Sequence, residues 1–293
     1  DERIGKLLKQ LKSAAPGALW AAKSVYGYVG WLATDDTTLP VLGRFGLRLQ
    51  EYMRGRGVVS LFGRMHPLLP RQNNELLIGR VESIGKTIGI DLRHGLAAYE
   101  QGLSSGHRYE IRKLREAGCV VTTDRGPGFL EEFHALYTAT MRRLNAGSTY
   151  FYSQEYLEAL MTANQFETRI FKATYQGRLC AMAMFIKCGR FIQYHLSCSE
   201  AGHTKYPATK LLIDEASRWS FSVDCDWLHL GGGLGAQQDA LFQFKAGFGG
   251  VQVPFNIWKC IFRDADYAGL SNAAGHNSDA PGIYFPAFQA ARL

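Results

Sequence analysis

The segment ETRIFKATYQGRLCAMAMFIKCGRFIQYHLS, Glu167–Ser197, holds three runs rich in aliphatic and aromatic residues, separated by two short turns. The turns are Gln176-Gly177 and Cys188-Gly189. Glycine suits such turns because it accepts the positive φ that tight hairpins require. Runs of this length, joined so closely, predict an antiparallel meander of three strands. The predicted strands are Glu167–Tyr175, Leu179–Lys187 and Phe191–Ser197.

Helical patterns flank the meander on both sides. A helix is predicted over Phe129–Leu144, and Ser153 has the type and position of an N-cap for a second helix, Glu155–Ala163. The remaining predicted elements, in chain order, are a strand at Cys119–Thr123, a helix at Pro207–Phe221, a strand at Trp227–Leu230, a helix at Asp239–Ala246 and strands near Val251–Phe262. This mixture of helices and a mostly antiparallel sheet predicts an α+β fold.

The first third of the chain gives a shorter set of elements. We predict helices near Asp1–Ala14 and Pro40–Arg54, a strand at Val58–Met65, and strands at Glu75–Val81 and Thr87–Leu92 with a turn at Gly85-Lys86. A single basic helix is predicted over Ala97–Ala117, ended by Gly118. We take that helix as the join between two domains, residues 1–96 and 97–293.

Composition limits the classes of function. The chain has 293 residues, of which 46% are hydrophobic and 20% charged, which is typical of a globular protein. The net charge of +7 suits an anionic partner such as a phosphate-bearing cofactor, a nucleotide-linked sugar, a tRNA or an anionic membrane, although ordinary solubility charge explains it equally.

Several kinds of site are not indicated. The six cysteines form no CxxC pair, so we expect no metal site and reduced thiols. No apolar stretch reaches the roughly 18 residues that a membrane-spanning helix needs. We expect a cytoplasmic protein without an integral membrane segment, and attachment to the surface of the inner membrane stays open. No Gly-x-Ser-x-Gly elbow and no P-loop occurs, which argues against a covalent serine enzyme or an NTPase.

Four local patterns resemble the Fem family of bacterial aminoacyltransferases, whose members have the GNAT acyltransferase fold. They are RYEIRKLREAG at Arg108–Gly118, the tyrosine-rich segment Tyr137–Tyr156, LHLGGG at Leu228–Gly233 and LFQFKAGFGG at Leu241–Gly250. Together they extend over most of residues 100–260. A further stretch, VSLFGRMHPLL at Val59–Leu69, resembles a subgroup associated with surface-polysaccharide synthesis.

This resemblance implies two GNAT-like lobes, each a mostly antiparallel mixed sheet flanked by helices, with a cleft between the lobes. It also implies an enzyme that forms an amide by passing an acyl or aminoacyl group to an amine. The acceptor would be an amine-bearing glycan or peptide precursor of the cell envelope. The donor co-substrate would be an acyl-CoA or an aminoacyl-tRNA, each of which carries phosphates.

Two residues are candidate catalytic groups. Lys245 lies in an apolar helix just before a glycine-rich turn, where its charge could stabilise an oxyanion or hold a phosphate. Its alternative is a lysine that reaches along an amphipathic helix to solvent. His195 could act as a general base, or be a hydrogen-bonded histidine of the core.

The candidate substrate-binding residues come from both predicted domains. Tyr194 and His229 lie on neighbouring predicted strands, while tyrosines near a helix junction offer flat contact area and hydroxyl groups. For the tyrosines the alternative is core packing at the helix junction, and for His229 it is a hydrogen-bonded histidine of the core. The full set is Tyr194, His229, Tyr150, Tyr152, Arg142, Arg64 and His66.

The turn before the helix at Pro207 is the candidate phosphate cradle, because a helix N-terminus attracts anions through its free N–H groups. Its candidate cofactor-binding residues are Lys205, Thr209 and Lys210. In GNAT enzymes the corresponding turn wraps a pyrophosphate. The usual Gln/Arg-x-x-Gly-x-Gly/Ala form is missing here, which counts against ordinary CoA binding.

Three functions therefore stay open. The leading one is an N-acyltransferase in which the amine attacks the donor carbonyl directly, without a covalent enzyme intermediate. The second keeps the fold and uses aminoacyl-tRNA as the donor. The third is a binding module in glycan assembly that has lost catalysis.

Overall fold

The computed structural model describes residues 17–25, 27–34, 36–69, 78–202, 208–277 and 284–290. The chain divides into two compact units: a first unit of residues 1–85 with 254–293, and a second unit of residues 86–253. The predicted division after residue 96 stays a prediction. The helix predicted near Asp1–Ala14, and the candidate Lys205, lie outside the described residues. Within those residues, no helix has both the length and the apolar character required to span a bilayer.

The second unit is built on a mixed sheet. Its strands, with bounds that in β3 reach into the first unit, are β3 (Arg80–Asp91), β4 (Cys119–Asp124), β5 (Glu167–Tyr175), β6 (Arg178–Cys188), β7 (Phe191–Ser199) and β8 (Trp227–Gly231). Their order across the sheet is β3-β8-β7-β6-β5-β4. The β7–β8 pair is parallel, and the other neighbours in this order are antiparallel.

The predicted meander is confirmed, and its first turn shows why the sequence determines it. Gln176 and Gly177 have φ of 49° and 74°. Two successive positive φ values match the twist of the flanking strands, and glycine takes the second of them without strain. The β5–β6 register follows directly, with Tyr175 opposite Arg178.

Helices cover both faces of this sheet. One face is covered by α2 (Gly95–Gly102), α3 (Ser105–Glu116), α6 (Ala208–Ser222) and α7 (Ala240–Ala246), and we call it the α6 face. The other face is covered by α4 (Pro127–Arg143) and α5 (Gln154–Thr162), and we call it the α4 face. Because side chains alternate along a strand, β6 sends Ala183 and Phe185 to the α6 face and Met184 to the α4 face. Two separate cores result.

The single helix predicted over Ala97–Ala117 is wrong. The structure has two helices, α2 and α3, and the chain is non-helical between them. The hydroxyl oxygen of Ser104 accepts a hydrogen bond from the backbone N–H of His107 at 3.2 Å and so caps α3. Gly249 lies so close to Gly102 that a Cβ there would overlap its backbone. This close approach fixes the break between the helices.

The turn predicted at Gly85-Lys86 is also wrong, because β3 runs through it as one strand. Gly85 does not adopt a positive φ, so nothing in its backbone interrupts the strand. The predicted strand at Glu75–Val81 begins in residues outside the described ranges.

The first unit contains a smaller set of elements. They are β1 (Trp20–Lys23), α1 (Leu39–Gly55), β2 (Val58–Arg64), β9 (Val251–Ile261, which begins in the second unit) and α8 (Asp264–Ala273). β2 pairs in parallel with β1 and antiparallel with β9. The helix predicted at Pro40–Arg54 and the strand at Val58–Met65 are confirmed, whereas α8 was not predicted.

Candidate active site

The parallel strands β7 and β8 pair over a short distance and then separate. Their register joins Phe191 to Trp227, Ile192 to Leu228 and Gln193 to His229. In the described residues of both strands no pairing follows His229, although β7 continues to Ser199. We call the space beyond this last pair the strand opening. Backbone amides that face it lack a ladder partner in β8, so a ligand can take that place.

A β-bulge lies beside the strand opening. Tyr194 is opposite Phe185 and Leu196 is opposite Met184, so His195 is the additional residue of the bulged strand. Bulges bend a strand and change the direction of its side chains. Here the ring of Tyr194 packs against Phe185 at 5.3 Å on the α6 face. The Nε2 atom of His195 lies 3.4 Å from the hydroxyl oxygen of Tyr156, a residue of α5 on the α4 face.

Lys245 is a buried cation at the end of α7. Its side chain donates a hydrogen bond to the carbonyl oxygen of Gly232 at 2.6 Å, and the residue is 8% exposed. Burial lowers the pKa of Lys245 to about 8, against a smaller opposing effect from the charge of Asp239. An ammonium group has three donors. With the described residues its ammonium forms no other hydrogen bond and no salt bridge, so two donors are available to a ligand.

The glycine-rich loop places the acceptor of Lys245. A Cβ on Gly232 would lie 2.8 Å from the carbonyl oxygen of Lys86, and one on Gly233 would overlap the carbonyl of Gln237. Asp239 closes the loop because its carboxylate accepts from the backbone N–H of Leu234 at 3.0 Å and of Phe242 at 2.9 Å. Asp239 is thus the N-cap of α7, and these hydrogen bonds lower its pKa.

His229 is part of a hydrogen-bonded network across three strands. Its Nδ1 lies 2.7 Å from Oε1 of Gln193, and its Nε2 lies 2.9 Å from the hydroxyl of Thr87. The amide of Gln193 donates to the carbonyl oxygen of Tyr194 at 2.8 Å. With its nitrogen used in this way, Gln193 accepts from Nδ1–H, and the Thr87 hydroxyl donates to a neutral Nε2.

This network ties β3, β8 and β7 together where the strand opening begins. His229 is 1% exposed and both of its ring nitrogens are engaged, which favours a positioning role. Its predicted contact with substrate stays a prediction. Gln193 and Thr87 were missed. Gln193 could have been found as a polar residue in a largely apolar segment, next to Tyr194. The polar strand around Thr87 gives no such signal.

An exposed aromatic cluster lies on the α4 face. It consists of Tyr150, Phe151, Tyr152 and Tyr156, with the rings of Tyr152 and Tyr156 stacked at 4.9 Å. Tyr150 is 36%, Phe151 40% and Tyr156 38% exposed. The hydroxyl of the buried Tyr137 donates to the carbonyl oxygen of Tyr150 at 3.0 Å and anchors the cluster to α4.

His195 lies beside this cluster, 6.4 Å from the ring of Tyr152. Burial lowers its pKa to about 4. The imidazole is therefore neutral at neutral pH, and it is a weaker base than a histidine whose pKa lies near neutrality. The structure groups Lys245 with Tyr194, at 5.9 Å from Nζ to the ring centroid, and His195 with the aromatic cluster on the opposite face.

The candidate phosphate cradle is described in part. Thr209 and Lys210 lie in the first turn of α6, and the ammonium of Lys210 forms an ion pair with Glu110 of α3. Lys205 is outside the described residues. The cofactor-binding role of these residues stays a prediction, and for Lys210 it requires exchange of its carboxylate partner for a phosphate.

The other candidates lie further from Lys245 along the chain. Arg142 is exposed near the C-terminal end of α4. Arg64 and His66 belong to the first unit, at the end of β2 and just after it. The guanidinium of Arg64 lies 5.2 Å from the ring centroid of Phe62, and Nδ1 of His66 accepts from the N–H of Leu68 at 3.2 Å. Burial lowers the pKa of His66 to about 4. Their ligand-binding roles stay predictions.

The described residues contain no group of three or more His, Cys, Asp or Glu side chains placed to hold a metal ion. Of the six free cysteines only Cys188 is exposed. Burial raises the pKa of Cys260 to about 12 and that of Cys119 to about 11. These thiols are therefore poor nucleophiles.

Part of the chain matches a known domain family. Residues 104–245 match the family model described as an acetyltransferase (GNAT) domain. None of the curated proteins is detectably similar to the chain in sequence.

Solved structures with similar folds include FemX, at 12% identity and a TM-score of 0.65, with 87% of this chain and 84% of FemX covered. The C-terminal domain of a putative lysylphosphatidylglycerol synthetase from Agrobacterium fabrum follows, at 13% identity and a TM-score of 0.54, with 81% and 79% covered. The structure of L-PGS from Bacillus licheniformis is similar at 15% identity and a TM-score of 0.50, with 73% of this chain and 72% of that chain covered. The expected α+β fold, with a mixed sheet flanked by helices, is confirmed. The cleft between two lobes stays a prediction.

Proposed function

We propose that this acyltransferase transfers an acyl group from a thioester donor to an amine of a cell-envelope or surface-glycan precursor. The match of residues 104–245 to a GNAT acetyltransferase domain supports an acyltransferase. The observation that carries this proposal is the strand opening with Lys245 beside it. The acceptor amine attacks the donor carbonyl directly, the carbon–sulfur bond breaks, and the thiol leaves with a proton. The site of action would be the cytoplasmic side of the inner membrane.

The strand opening fits an extended donor that carries amide groups. Strand edges bind such ligands through main-chain hydrogen bonds, as in peptide recognition by strand addition. The pantetheine arm of an acyl-CoA is extended and contains two amides. With this arm between β7 and β8, the thioester would lie near the bulge at His195.

Lys245 would stabilise the oxyanion of the tetrahedral intermediate. Its pKa of about 8 leaves it mostly charged at neutral pH, and burial increases the effect of that charge on a nearby oxyanion. The hydrogen bond to Gly232 holds the ammonium in place, so little reorganisation is needed when charge develops.

The two faces of the sheet would then have different tasks. A carbonyl in the strand opening lies in the plane of the sheet and is accessible from both faces. Lys245 acts from the α6 face, and the amine arrives from the α4 face, where His195 accepts a hydrogen bond from it. Because the pKa of His195 is about 4, the proton passes on to a substrate group or to water.

The aromatic cluster supports a sugar-bearing acceptor. The exposed rings of Tyr150, Phe151 and Tyr156 present flat apolar area together with hydroxyl groups, a combination that suits the faces and edges of a hexose. An amino sugar is therefore the preferred acceptor, with the amine of a short peptide as the alternative.

Release of free thiol from acetyl-CoA, measured against a panel of amino sugars and short peptides, tests this proposal. We expect an acceptor-dependent rate that Lys245→Met lowers by about 100-fold or more. The matched control is Lys172→Met, which removes a partly buried lysine paired with Glu132 at 2.6 Å. Equal rates in wild type and Lys245→Met would refute the role of Lys245.

A second candidate donor, an aminoacyl-tRNA, is supported by the outer side of α3. Arg108, Arg112 and Lys113 are exposed there, with Tyr109 between them at 54% exposure. Basic residues with an aromatic ring suit a nucleic acid. Binding of charged tRNA that weakens steeply with salt, without binding of acetyl-CoA, would favour this donor. Partner binding that survives loss of Lys245 and His195 would favour the non-catalytic module.

A further inference from the structure

Helix α1 of the first unit leaves much of its apolar surface uncovered. Over its 17 residues only Leu42, Gly46 and Met53 are buried. The exposed apolar side chains are Leu39 at 64%, Val41 at 42%, Phe45 at 54%, Leu47 at 65% and Tyr52 at 37%. A surface helix of a globular protein normally turns its large apolar residues to the core and polar ones to water.

Three of these five exposed apolar residues lie together on the helix surface. Val41, Phe45, Arg48 and Tyr52 follow each other at intervals of four, three and four residues, which places them on one stripe of the helix. Arg56, just after the helix, lies over the ring of Tyr52 at 5.1 Å. Apolar and cationic groups therefore share the same outward surface.

The net charge of this segment is positive. From Leu39 to Arg56 the chain has four arginines and one glutamate. That glutamate, Glu51, is paired with Arg48 at 3.0 Å on the surface. A helix with exposed large apolar residues and arginines beside them suits the interface of an anionic bilayer, where the apolar groups enter the acyl boundary and the guanidinium groups meet phosphates.

The same charges argue against a second copy of this chain as the occupant. Two identical stripes in contact would bring their arginines together, and like charges across an interface are unfavourable. An anionic lipid surface satisfies both the apolar and the cationic groups.

We propose that α1 docks the protein on the headgroup region of an anionic lipid bilayer, lying in the plane of the interface, with Phe45 and Leu47 contacting the lipid from the two sides of Arg44. This docking would hold the enzyme at a membrane surface. It rests on the first unit alone and does not depend on the reaction proposed for the second.

Flotation of the full chain with vesicles tests the proposal. Vesicles of phosphatidylcholine with phosphatidylglycerol are compared with vesicles of phosphatidylcholine alone, at low and high salt. We expect binding to the anionic vesicles that falls with salt, and little binding to the neutral ones. Leu47→Ser and Arg44→Glu should each weaken the partition coefficient by roughly tenfold.

Two control variants separate the helix from general surface properties. Leu144→Ser makes the same change at a leucine of equal exposure, 65%, in the second unit. Arg125→Glu makes the same change of net charge at an exposed arginine there. Both should bind vesicles as the wild type does. Losses as large in the controls as in the α1 variants would overturn the proposal.

Two other outcomes would also overturn it. One is absence of binding to anionic vesicles at low salt. The other is a dimer in solution that Leu47→Ser dissociates while vesicle binding stays unchanged, which would make the face a contact between copies of this chain.

Discussion

At the scale of single residues, Lys245 and His195 differ in how burial affects their chemistry. Burial lowers both pKa values, to about 8 for Lys245 and to about 4 for His195. The lysine keeps its charge at neutral pH and can stabilise an anion, whereas the histidine loses its charge and becomes a weak base. The charge of one residue and the neutrality of the other thus define two different roles.

The first prediction concerns the alkaline limb of the rate profile. Because charged Lys245 is the proposed oxyanion donor, kcat at saturating substrates should fall as pH rises through about 8. The Lys245→Arg variant stays charged throughout this range. The ratio of wild-type kcat to variant kcat cancels the titration of the acceptor amine. That ratio should decline above pH 8, and a ratio independent of pH would contradict the role.

The second prediction concerns stability. The pKa of Lys245 in the folded protein is about 8, below the ordinary lysine value of 10.5, so the unfolded chain binds more protons between these pH values. Burial of the charged lysine therefore lowers the free energy of unfolding, and this cost has its full size below pH 8. The cost disappears as pH rises to 10.5. Lys245→Met removes the cost.

Denaturant unfolding of wild type and Lys245→Met across this pH range measures the effect. The free energy of unfolding of the wild type, relative to the variant, should rise by roughly 3 kcal/mol from the low to the high end. A constant difference would show that Lys245 titrates normally in the folded protein.

At the scale of elements, β7 and β8 decide the site through the place where their pairing ends. The network of Thr87, His229 and Gln193 fixes that place by joining three strands at the last pair. Loss of one member leaves buried polar groups without a partner. Such a loss should change both the stability and the geometry of the strand opening.

The third prediction uses two matched threonines. Thr87 and Thr168 are both fully buried, and the hydroxyl of Thr168 donates to the carbonyl oxygen of Leu160 at 2.8 Å, away from the strand opening. Thr87→Val and Thr168→Val should each lower the free energy of unfolding by about 1–2 kcal/mol. Only Thr87→Val should also raise the KM for the donor.

Steady-state kinetics with acetyl-CoA and calorimetric unfolding of both variants check this prediction. Equal changes of KM in the two variants would show that the network of Thr87, His229 and Gln193 has only a structural role. A KM effect confined to Thr87→Val would identify it as a positioning device for the donor site.

The elements also show what the sequence could determine. The meander was predictable because its signals are local: strand-forming runs, and glycines at turns with positive φ. The break between α2 and α3 was not, since it depends on the close approach of Gly249 to Gly102, which are distant in sequence. The bulge at His195 depends on the register between β6 and β7, so its effect on the two faces of the sheet had no sequence signal.

At the scale of the whole molecule, the described residues form two compact units with different surface chemistry. The second unit contains the match to the GNAT domain, the strand opening and the aromatic cluster. The first unit contains α1, with its exposed apolar and cationic stripe. Lys245 was selected from the sequence because its segment resembles the Fem family. In the structure it is 8% exposed and has no carboxylate partner among the described residues. These two observations support its proposed catalytic role.

Calorimetric titration of the full chain with acetyl-CoA measures whether the strand opening binds a thioester donor. We expect saturable binding with one site per chain at micromolar strength, together with a rise in the unfolding temperature on saturation. Lys172→Met should bind as the wild type does, and Thr87→Val more weakly. If acetyl-CoA does not bind, either by itself or together with an amino-sugar acceptor, the strand opening is not a site for a thioester donor.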